Sequence, residues 1–126
     1  AGPIIDLKQA PFDTYISISR DYHNGNMEER AIAGNNLRKA IERFTLDMLI
    51  RKGNMGRGKA SDLKLDERLE KIETSKLLTL KDIGEIKAVL NVCDACSHEP
   101  PKREVTPKEL LDGIETVKNL ALKYLT

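Results

Sequence analysis

The stretch LRKAIERFTLDM (Leu37–Met48) carries apolar side chains at Leu37, Ala40, Ile41, Phe44 and Met48. Steps of three and four place them on one stripe of an α-helix, and no strand period fits them. Arg38 and Glu42 form an i, i+4 pair of opposite charge on the same helix, which supports it further. Read outward, the helix extends from about Met27 to Lys52. Gly34 and the Asn35–Asn36 pair should weaken its middle, since all are poor helix formers.

Upstream, Ala1 to Ala10 hold one Pro and one Gly and read as an entry arm. Pro11 opens a first helix, where its missing N–H costs nothing. Phe12, Tyr15, Ile16, Ser19 and Tyr22 keep helical spacing, and HNGN (His23–Asn26) ends that helix. TYISIS (Thr14–Ser19) is the one alternating segment, and the helical stripe overrides it. Downstream, Asp62–Glu73 reads as a third helix with Leu65, Leu69 and Ile72 on one face. A turn over TSKLLTLKD leads to a fourth, Leu80–Ser97, with Ile83, Ile86, Leu90 and Cys93 inward. Pro100–Pro101 forces an extended break. Thr106, Pro107 and Glu109 then make a capping box, and Leu110, Ile114, Val117, Ala121 and Tyr124 line the last helix. The expected fold is an all-α antiparallel bundle of about five helices over residues 11–126, in one domain.

The composition agrees. At 126 residues the chain is one domain of ordinary size. It needs no disulfide or metal to fold. Aromatics are 4% with no Trp, so aliphatic residues carry the core. The net charge of +1 gives no global field toward nucleic acid or an anionic membrane. No apolar run is long enough to span a membrane, and the opening residues do not read as the basic start and apolar centre of a signal peptide. The expectation is a cytoplasmic chain which, opening Ala-Gly-Pro rather than Met, is either a fragment cut from a longer parent or a processed start.

Two motifs bear on chemistry. KGNMGRGKAS (Lys52–Ser61) imitates a phosphate-binding loop: Gly53, four residues, Gly58, Lys59. Such a loop joins a strand to a helix and places Ser or Thr after the Lys. Here a helix enters it and Ala60 stands at that place. The loop instead reads as a mobile connector whose Arg51, Lys52, Arg57 and Lys59 lie within nine residues free of acid. That makes it the candidate nucleic-acid contact, without aromatics for base stacking.

CDACSH (Cys93–His98) contains C-x-x-C. Haem attachment would need His directly after the second Cys, and Ser97 intervenes. Thiol redox chemistry needs a helix N-terminus, whereas this motif closes a helix. Zinc could take Cys93, Cys96, His98 and His23, but structural zinc sites show two tight ligand pairs and His23 stands alone. The expectation is a buried Cys93, with no metal and no cofactor. Lys87, Asn91, Asp94 and His98 follow steps of four, three and four, which gathers them on the polar face of the same helix; spacing alone favours a solvated face ending in a His that suits the helix dipole over a proton-handling set.

The order of these segments resembles the HEPN superfamily, in particular the helical domains attached to prokaryotic defence, restriction and toxin proteins. The resemblance runs from Asp13 onward. It rests on NNLRKAIERFTLDML with Arg38 and Glu42, LDERLEKI, LKDIGEIKAVLNVCDACSHEPP with Asn91 and His98, and TPKELLDGIETVKNLALKYL. Catalytic members are metal-independent ribonucleases whose motif is Arg, four to six residues, then His, often completed across a dimer. His98 matches the His. The Arg would stand at Asn91, Val92 or Cys93, and none is Arg. Lys87, about 16 Å away along the helix, cannot replace it. The resemblance therefore implies a non-catalytic module for dimerisation or partner docking, in nucleic-acid metabolism or antiviral defence. One alternative is a divergent ribonuclease using His98 with Asn91 and Asp94. Another is a nucleic-acid adaptor through Arg51, Lys52, Arg57 and Lys59. The expected partners are a second copy or another protein, then RNA or DNA, and no membrane.

Overall fold

The computed structural model describes residues 10–98 and 100–126, so the entry arm lies outside the described residues except for Ala10. Among the described residues the chain is all-α. Its six helices are α1 (Phe12–Tyr22), α2 (Met27–Arg51), α3 (Arg57–Asp62), α4 (Leu65–Thr74), α5 (Leu80–Ser97) and α6 (Pro107–Leu125).

The helix starts follow side-chain chemistry. Asn26 accepts from the Glu29 N–H at 2.9 Å while the Glu29 carboxylate accepts from the Asn26 N–H at 3.3 Å, a capping box for α2. Thr79 caps α5 by accepting from the Asp82 N–H at 3.1 Å. Thr106 and Glu109 cap α6 reciprocally at 3.2 and 3.1 Å, with Pro107 in the first turn.

α2 is the central helix, packed against α1, α3, α4, α5 and α6. Leu37, Ala40, Ile41, Phe44 and Met48 are fully buried, as their stripe requires. Ala33, Leu46 and Leu49 are buried as well, so neighbours cover more than one face of α2. It runs unbroken through Gly34 and the Asn pair, with the Asn36 amide donating to the Ile32 carbonyl at 2.9 Å. Ile83, Ile86 and Cys93 of α5 and Leu110, Ile114 and Val117 of α6 complete the core. Cross-helix polar ties join the elements: Ser19 Oγ donates to the Ala33 carbonyl at 2.8 Å, and Arg20 pairs with Glu115.

Two expectations are corrected. The helix expected from Asp62 starts at Leu65, because Asp62 belongs to α3 and Leu63 is extended. The connector expected to be mobile is a built element. Gly53 and Met55 donate backbone N–H groups to Met48 and Leu49 carbonyls at 3.1 and 3.0 Å. Met55 packs on the core and Ala60 is fully buried. Such anchoring holds both ends of the segment against the bundle. No helix among the described residues is long and apolar enough to cross a membrane.

Candidate functional site

A groove of about 1020 Å³ opens between α2, α4 and α5. The core stripe of α2 turns Arg38 and Glu42 outward on its edge. α5 contributes Lys87, Asn91 and Asp94 from its polar face, one helical turn apart, and α4 contributes Arg68 and a run of carboxylates. Residues that the sequence separates by some fifty positions thus share one wall-to-wall cleft.

Among the groove's side chains, Arg38 and Glu42 pair with each other. Arg38 Nε stands 3.4 Å from Glu42 Oε1. Arg68 is spent on backbone: its guanidinium donates to the Glu42 carbonyl at 2.8 Å and to the Ser61 carbonyl at 3.4 Å. Burial pushes the Arg68 guanidinium below its ordinary value, with Glu42 opposing. Arg68 therefore ties α4 to α2 and to the end of α3.

His98 follows the last turn of α5 and is exposed. Its Nε2 lies 3.1 Å from Asp94 Oδ1, while the other Asp94 oxygen accepts from Lys102. The hydrogen bond from Lys102 holds the Asp94 carboxyl below the usual carboxylate range; burial opposes, and His98 adds to the lowering. The structure thus brings Asn91, Asp94 and His98 onto one side of α5, with Asn91 and Asp94 in the groove and His98 attached through Asp94. Sequence reading missed Arg68 and Lys102. Nothing in their spacing marks them, because each acts across a turn or between helices.

The remaining candidates lie elsewhere. Arg51, Lys52, Arg57 and Lys59 are all exposed, at the end of α2 and along α3, and none lines the groove. Cys93 is 1% exposed and Cys96 4%, both as free thiols. Burial pushes the Cys93 thiol up to about 12, with the neighbouring Cys96 adding to it. A thiol so placed is a core side chain, as its position on the stripe suggested. His23 Nδ1 faces the Arg20 carbonyl at the end of α1. Among the described residues, no three His, Cys, Asp or Glu side chains converge to hold a metal ion.

No family model, curated protein or solved structure matches the chain, so the groove's own geometry is what bears on its function.

Proposed function

We propose that the chain is a non-catalytic, HEPN-like helical module that works by docking to protein, a second copy or another chain, within a system of nucleic-acid metabolism or antiviral defence. The observation that carries this reading is the charge of the groove. Four cations (Arg38, Lys64, Arg68, Lys87) face five carboxylates (Glu42, Asp66, Glu70, Glu73, Asp94) along its lining. A phosphate diester entering there meets no surplus positive charge. Mixed charge complements another mixed protein surface and selects its register. The Arg missing upstream of His98 supports the same reading, since no cation on α5 stands within reach to stabilise a phosphate in flight. Light scattering over a concentration series tests self-association, with Lys87→Glu as the groove variant. Mass that rises with concentration and falls back in the variant supports docking between copies. A strict monomer removes self-association and leaves another chain as the occupant.

The second reading, a divergent metal-independent ribonuclease, draws on one observation. Asp94 pairs with His98 while Arg38 enters the same groove from α2, adding a guanidinium to the Lys87 that α5 supplies. In that reading His98 moves the proton and Asn91 and Asp94 orient it.

A further inference from the structure

The pole of the bundle opposite the helix starts of α2 and α4 combines two loops that the sequence keeps apart. A Cβ added at Gly53, in the α2–α3 connection, would stand 3.2 Å from Leu77 Cδ1, in the α4–α5 connection. Both Met55 and Leu77 pack on the same core. The two connections therefore meet at Gly53 and Leu77. Between Met48 and Ser61 there is no acidic residue, and between Thr74 and Lys81 there is none either. The connections carry Lys52 and Lys76, and the helices that flank them add Arg51 from α2, Arg57 and Lys59 from α3 and Lys81 from α5, all exposed.

The ion pairs among the described residues engage Arg20, Arg38, Arg43, His98, Lys102, Arg103, Lys108 and Lys123. None involves the six at this pole. With a net charge of only +1 for the whole chain, the charge is segregated: one pole is positive and the remainder negative. Segregation of this kind produces a local attractive potential that net charge conceals.

We infer that this pole is a docking surface for a nucleic-acid duplex, held by its phosphate backbone. Lys and Arg that neutralise phosphates release condensed counterions, which drives binding without regard to sequence. Neither connection contains an aromatic residue, so stacking on unpaired bases is not available, and a duplex, whose phosphates face outward, fits best. Gly56 and Gly58 have open space where a side chain would stand, which leaves the surface low enough for a backbone to approach. Leu80, 73% exposed beside Lys81, is a single apolar side chain, short of the apolar face that an interfacial membrane helix buries. The surface shares no residue with the groove, so this inference stands apart from the docking reading above.

The test is fluorescence anisotropy of the whole chain with a labelled DNA duplex of about two helical turns, the same strand unpaired, and vesicles rich in phosphatidylserine. The expected result is duplex binding that weakens by roughly 10³-fold between 50 and 200 mM salt if all six cations contribute. Neutralising Lys76 and Lys81 should weaken it about as much as neutralising Arg57 and Lys59, and Lys76→Arg with Lys81→Arg should preserve it. Circular dichroism of each variant should be unchanged, since every side chain altered is exposed. Absence of duplex binding at 50 mM salt would overturn the inference. So would tighter binding to the single strand or the vesicles, or indifference to Lys76 and Lys81.

Discussion

A Cβ at Gly34 would stand 2.2 Å from Cys96 Sγ. The backbone of α2 thus lies directly against the small side chain of α5, and both residues are buried. This close crossing sets how far apart the two helices stand where they form the groove walls. Alanine at position 34 must push Cys96 or the helix aside, and Cys96 is held by its own bond to the Cys93 carbonyl at 3.5 Å. Overpacking costs about 1–3 kcal/mol, and the helix propensity gained by losing glycine offsets at most about 1 kcal/mol of it. Gly34→Ala should lower the urea midpoint. Gly34→Ala with Cys96→Ala should be more stable than the sum of the single variants by about 1 kcal/mol. Additive values would show that the two residues do not share this contact.

The cysteines provide a chemical check on the same packing. With Cys93 buried and its thiol raised to about 12, hardly any thiolate exists at pH 8. Cys96 is raised as well, first by burial. A disulfide reagent should therefore label the native protein slowly and both thiols at once in denaturant. Rapid labelling of one thiol in the native state would place it outside the core.

Asp82 makes stability depend on pH in a defined direction. The Tyr124 hydroxyl donates to it and holds its carboxyl below the usual carboxylate range. Burial opposes, and Thr79 and Lys123 reinforce the lowering. A depressed folded value means that the unfolded chain binds protons first as pH falls. The stabilisation is complete above the unfolded value of about 4 and is lost as pH drops through the lower folded value. Tyr124→Phe should cost about 1–2 kcal/mol at pH 7. The gap between the variant and the parent should narrow as pH falls below about 4. A gap independent of pH would mean that the lost hydroxyl acts by packing alone.

Much of the architecture was legible because core residues repeat at helical steps. The stripe from Leu37 to Met48 and the box at Thr106–Glu109 both stand where the spacing put them. The same box pattern at Asn26 and Glu29 is equally written in the chain, and it gives α2 its start. α3 was not legible. Its six residues, RGKASD, are too few to show a period. It forms because Ala60 and Met55 find the core, a tertiary effect that local composition does not carry. The polar face of α5 was readable from spacing. What faces it was not: Arg38 and Arg68 reach the groove from other helices, and only the fold brings them there. The pairing of Lys102 with Asp94 depends likewise on how the chain turns after Pro100.

We propose that the groove beside His98 docks protein and does not cut RNA. The most direct measurement incubates the purified chain with structured and unstructured RNA in EDTA, beside His98→Ala. Both proteins should leave the RNA intact over hours. Cleavage by the parent that disappears in His98→Ala would contradict this and make His98 a catalytic residue.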